Sequence, residues 1–205
     1  MYHSVTATTR CPAMKCRTSA AVLLLFSASL FAGEFEAGVD AAASGDYETA
    51  LRHWRLLADA GHVDAQFNIG LLYDNGAGVD RDPAQAAEWY RRAAESGDRT
   101  AQSYLAEMYA NGHGVERNFA EAVEWYRKAA LQRDGAAAYN LGILYASGRG
   151  VPIDDIYAYA WLSVAAASGQ SANGVLEIMA SGMSQGRRAQ AEALRKELFA
   201  KCGLH

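Results

Sequence analysis

The chain has 205 residues, 51% hydrophobic and 20% charged, a balance that supports a packed core and excludes wholesale disorder. Its net charge of −4 includes Arg10, Lys15 and Arg17, whereas every acid lies at or beyond Glu34; the remainder carries 16 Lys and Arg against 23 Asp and Glu, a net −7. With no Lys/Arg cluster in that remainder, nucleic acid and anionic lipid are not expected partners.

The first element is an apolar run, Ala20 to Ala32, behind the basic residues. It is too short to cross a bilayer and reads as the core of a secretory signal peptide, residues 1–33, with Met14 as an alternative start. Leu30 or Phe31 stands where a small residue is preferred before cleavage, so an uncleaved anchor is the competing reading. Cleavage would remove Cys11 and Cys16 and leave Cys202 alone, so no internal disulfide is expected. Cys202 and His205 stand at what reads as a frayed terminus, without the third group and oxyanion donor that nucleophilic catalysis needs.

Beyond Glu34 the chain repeats itself. Trp89, Trp125 and Trp161 are 36 residues apart, as are Tyr73, Tyr109 and Tyr145, and Ala65, Ala101 and Ala137. The glycine pairs Gly76/Gly78, Gly112/Gly114 and Gly148/Gly150 keep the same interval. Each unit reads as two helices joined by a glycine loop. Ala65, Ile69, Leu72 and Tyr73 recur on one face of the first helix, and the glycines allow a sharp reversal. Asp46, Asp82, Asn118 and Asp154 are N-cap candidates for the second helices, with Pro83 at a first-turn position. Gly61, Gly97 and Gly169 are C-cap candidates. Arg133 breaks that series, and Gly135 is the expected substitute.

Gly70, Ala106 and Gly142 share a slot on the first helix, and Ala50, Ala86, Ala122 and Ala158 share one on the second. Small residues let helix axes approach while aromatic rings fill the space beside them. The Trp series is therefore core and not a cofactor box. The expected organisation is an N-terminal capping pair (34–64), three repeats (65–100, 101–136, 137–171) and C-terminal capping helices (172–205), with Ser184 capping the last.

The pattern AxxxxGxxYxxGxGV…AxxWYxxAAxxG, met in Ala65 to Gly97 and again in Ala101 to Ala130, resembles the Sel1-like repeat, a relative of the tetratricopeptide repeat. The first unit is nearer the tetratricopeptide form. The resemblance implies an all-α, right-handed α-solenoid of stacked antiparallel helix pairs. It also implies a scaffold or adaptor without cofactor or chemistry, commonly placed in the bacterial envelope or exported. One exported branch, linked with β-lactams, carries a cysteine pair in each repeat; this chain has none there.

In related repeats the first helix of each pair lines the concave face, and its outward positions choose the ligand. Those positions here include Asp64, Phe67, Asn68, Leu71, Asp74 and Asn75 in one unit and Ser103, Tyr104, Glu107 and Asn111 in the next. The third contributes Tyr139, Asn140 and Ile143. They vary between units while core slots repeat. Phe67, Leu71, Tyr139 and Ile143 form apolar anchors that packing does not require, rimmed by Asp and Asn. With no Lys or Arg at these helix positions, a neutral or basic extended segment is the expected ligand.

The expectation is thus an exported, periplasmic adaptor that binds a protein or peptide. A rival is a cell-wall-acting enzyme or subunit using Asp74 and Glu107 as a carboxylate pair; another is a secreted host-interacting factor. His53 and His62 lack metal-ligand spacing. His113, between two loop glycines, reads as solvated, and Asp154 as a cap rather than half of a pair with Asp155.

Overall fold

The computed structural model describes residues 33–204, which form ten helices and no strand. The segment read as a signal peptide lies outside the described residues except for its last position, as does His205. The helices are α1 (residues 33–43), α2 (Tyr47–Asp59), α3 (Val63–Asn75), α4 (Pro83–Glu95), α5 (Arg99–Asn111), α6 (Phe119–Leu131), α7 (Gly135–Ser147), α8 (Asp155–Ala167), α9 (Asn173–Gly182) and α10 (Gln185–Cys202). Helices α2 to α8 are each 13 residues long, the constancy expected when one supersecondary unit is repeated.

The caps explain that constancy. The side chains of Asp46, Asp82, Asn118 and Asp154 accept from backbone N–H groups at the starts of α2, α4, α6 and α8, satisfying donors that have no partner within the helix. A second series caps the first helices. His62, Asp98 and Asp134 accept from Ala65, Ala101 and Ala137 N–H at 3.3, 2.6 and 2.9 Å. His62 therefore caps α3 rather than merely following α2.

The C-terminal reversals follow the glycines, with one correction. Gly61, Gly97 and Gly169 hold φ near +92°, +97° and +91°. At the fourth such turn the left-handed residue is Arg133 itself, with φ +67°, and Gly135 is instead the first residue of α7. Asp134 must stay extended to cap α7, so only Arg133 remains to reverse the chain.

Packing within a pair follows the small-residue slot. The Tyr90 ring lies over Gly70, where a Cβ would come within 2.6 Å of it, and Leu162 lies over Gly142 in the same way. Trp89, Trp125 and Trp161 are 3, 8 and 3% exposed, so the Trp series is core, as expected. Packing between pairs uses the second loop glycine. A Cβ on Gly78, Gly114 or Gly150 would meet the start of the preceding unit's second helix, at Tyr47, the Pro83 carbonyl or Phe119. Each loop is tied down by a backbone bond, from Asp82, Asn118 and Asp154 N–H to Tyr73, Tyr109 and Tyr145 carbonyls at 2.9, 2.8 and 3.1 Å. Buried glutamines add ties, Gln66 to Ala58 and Gln102 to Ala94, both at 3.0 Å.

Helix α10 packs chiefly on α8 and also reaches α6. Ser184 caps it through Arg187 N–H, and Asp155, beside the capping Asp154, pairs with the Arg187 guanidinium. The frayed terminus expected around Cys202 is not found. Cys202 and Leu204 are buried, and the thiol faces the Ala130 carbonyl at 3.6 Å. Burial pushes that thiol above its ordinary value, with Arg133 opposing the effect.

Candidate binding face

The sequence-predicted residues all lie on the first helices α3, α5 and α7 or at the start of that face. The structure gathers part of the set into two adjoining pockets. One, of about 440 Å³, is lined by Asp74, Tyr104, Glu107 and Asn111 together with Met108, Gly112 and His113. The other, of about 450 Å³, again uses Glu107 and Asn111, with Asn140 and Ile143 from α7 and Arg117, Phe119 and Arg149 from the loops and the start of α6. Asp64, Phe67, Asn68, Leu71, Asn75, Ser103 and Tyr139 line neither; Asn75 donates to the Leu71 carbonyl at 2.9 Å.

The apolar anchors are only partly free of packing, contrary to expectation. Phe67, Leu71 and Tyr139 are half-buried against the core, while Ile143 is 36% exposed. Phe67 belongs to an aromatic nest with Tyr90 and Tyr104, its ring 5.5 and 5.6 Å from theirs. The reason is local geometry. The Tyr90 ring fills the space that a side chain at Gly70 would take, and Phe67, one turn earlier on α3, packs beside it.

The Asn slot has a structural partner within the chain. Burial drives the Tyr126 hydroxyl upward, and the Asn140 amide beside it partly offsets this. One unit earlier Tyr104 occupies the Asn slot and its ring meets Tyr90 at 5.3 Å. The Tyr90 hydroxyl is left fully buried with no hydrogen-bond partner among the described residues. Burial, then the nearby Asp74 and Tyr104, raise it well above the usual tyrosine value.

His113 is not simply solvated. Its Nε2 lies 2.8 Å from Asp74 Oδ1 and 3.3 Å from the Arg81 guanidinium, while Arg81 Nε donates to the Asp74 carbonyl at 2.7 Å. The loop of one unit is thus clipped to the first helix of the unit before it. The Arg117 and Arg149 guanidinium carbons lie 5.8 and 5.7 Å from the Phe119 ring centroid. Rim cations were missed by a reading confined to helix positions, although Arg81 and Arg117 keep the repeat interval of 36. Asp74 and Glu107 do line one pocket, but Asp74 is engaged by His113. Among the described residues no group of three His, Cys, Asp or Glu is placed to hold a metal, and no described helix is long and apolar enough to cross a membrane.

Stacked helix pairs of fixed length, interlocked by glycine loops and presenting variable residues on one face, define an α-solenoid of the interaction-repeat class. The Sel1 repeat model matches residues 31–62, 63–98, 100–134 and 135–170, and the chain belongs to the Sel1 repeat family. A Sel1 repeat protein from Oxalobacter formigenes has a similar structure, with 36% identity and a TM-score of 0.62 over 66% of this chain and 56% of that one. A protective antigen present in uropathogenic Escherichia coli strains, displaying an SLR fold, is 26% identical with a TM-score of 0.58 over 88% of this chain and 48% of that one. The chain therefore spans about half the length of these relatives. No curated protein matches it. Sel1 repeat proteins generally act as scaffolds in protein–protein interaction and are typically non-catalytic.

Proposed function

We propose that this chain is an exported adaptor that binds a protein or peptide on the concave face formed by α3, α5 and α7. The observation that carries the reading is the pair of adjoining pockets, lined largely by side chains that differ from unit to unit while the core slots repeat. Residues released from packing and gathered into a groove are those a partner selects. Export, with the periplasm as destination, rests on the basic residues and apolar run that precede Glu34.

A photo-crosslinking amino acid at Ile143, exposed in the groove, should capture a partner from envelope extract. The same group at Leu56, 70% exposed on a second helix, should not. Capture from Leu56 and none from Ile143 would move binding to the other face. A second reading takes up the likeness to a protein described as a protective antigen: a secreted host-interacting factor, which recovery of the chain from culture medium would support.

A further inference from the structure

The two adjoining pockets share Glu107 but differ in their other charged groups, Asp74 and His113 lining the first and Arg117 and Arg149 the second. In the first, the exposed Glu107 carboxylate stands with the 39% exposed Tyr104 ring and the Asp74 carboxylate. Beneath them the buried Tyr90 hydroxyl lacks a partner, and its ring lies over Gly70, one turn before Asp74. In the second, Arg117 and Arg149 both lie within 6 Å of the Phe119 ring centroid. The ion pairs on this face are Asp74 with His113 and with Arg81; among the described residues Glu107, Arg117 and Arg149 form none. Arg117 and Arg149 outnumber Glu107, the one carboxylate lining their pocket, and neither is paired with it, so two like charges gathered at one ring favour a further anion between them. A carboxylate beside an aromatic face favours a cation.

We propose that the groove is bipolar and takes an extended polypeptide segment bearing both a basic and an acidic side chain. The Lys or Arg of that segment sits against Glu107 and the Tyr104 ring, and its Asp or Glu sits between Arg117 and Arg149. The inference rests on the concave-face reading and deepens it. The two pockets adjoin at Glu107 and Asn111, so one extended segment can lie across both. The helix positions alone suggested a neutral or basic ligand; the loop arginines add the acidic half.

The test uses fluorescent, end-blocked peptides of alanine, serine and glycine carrying both Arg and Glu, Arg alone, Glu alone, or neither. Anisotropy at low salt should give the two-charge peptide an affinity about tenfold above either single-charge peptide. Glu107→Gln should abolish the advantage conferred by Arg only. The Arg117→Met/Arg149→Met double variant should abolish that conferred by Glu only. These side chains are exposed, so unchanged melting temperatures will establish that both variants fold. Equal affinity of all four peptides, no measurable binding, or advantages that survive both variants would overturn the proposal. If the Ile143 crosslink still forms in those cases, the face remains the binding surface and only its bipolar character fails; if it is also lost, both readings fail.

Discussion

At the scale of single residues, Trp125 and Cys202 mark opposite ends of what side-chain chemistry announces. Trp125 sits in the core with the Lys128 ammonium 3.7 Å from its ring centroid, so its indole is both packed and capped by a cation. Trp125→Ala should lower unfolding free energy by about 3–5 kcal/mol, measured by denaturant titration; a near-neutral result would place the ring outside the core. The repeat interval alone made this legible, since a Trp kept in register in three units answers to packing. Cys202 had no such register, and its burial depends on α10 docking against α6 and α8, a tertiary event with no local signature. Burial raises its thiol above the ordinary value, so the folded state favours the protonated form. That stability is intact below the unfolded thiol value, about 8.5, and is lost as pH rises through the folded one. As pH rises above about 8.5 the melting temperature should therefore fall more steeply for the native chain than for Cys202→Ala. Parallel curves would mean that the thiol reaches solvent.

At the scale of elements, two glycines with the same backbone sign separate two costs. Gly97 holds φ +97° with nothing near a would-be Cβ, whereas Gly114 holds φ +71° with the Pro83 carbonyl oxygen 2.2 Å from that position. Gly97→Ala should lose only the left-handed penalty, about 1 kcal/mol. Gly114→Ala should lose that and also push α4 away from the loop, a further cost of about 1–3 kcal/mol. Calorimetric melting of the two variants decides it, and equal losses would mean that the loop does not lean on the preceding unit. The elements themselves were legible because caps, glycines and apolar spacing are local. What joins them was not. The His113–Asp74 contact links residues 39 apart in sequence, and the Phe119 ring gathers arginines from two different loops. A slot alignment along helices has no term for either, so half the charge of the candidate groove was invisible to it. Arg133 was misread for a related reason. The need to cap α7 with Asp134 fixes where the chain turns, and no residue preference overrides it.

At the scale of the molecule, the array is a row of units each burying its face on the next, so its ends are where apolar surface must be closed. The N-terminal end closes a small core around Trp54, Leu57, Ile69 and Trp89, separate from the large one that runs from α4 to the C-terminus. The C-terminal end is closed by α10, which buries Ala191, Leu198, Cys202 and the following Leu204 against α8 and α6. Helix α9 cannot do this alone, since none of its residues is fully buried and Ile178 is 74% exposed. Two polar contacts fasten α10 to α8. Arg187 pairs with Asp155, and the Tyr159 hydroxyl donates to Glu192 at 2.9 Å. Removing α10 leaves the outer face of α8 uncovered, with Tyr159 and Trp161 among its aromatic residues. A chain ending after residue 182 should therefore melt several degrees lower, the shift of about 2–4 °C per kcal/mol expected for a protein of this size, and should bind a hydrophobic dye or self-associate. Because coupling in such arrays passes between neighbours, hydrogen exchange should rise most in α7 and α8 and least in α3. A truncated chain with an unchanged melting temperature and an unchanged exchange pattern would mean that α8 closes the solenoid by itself and that α10 serves a different surface.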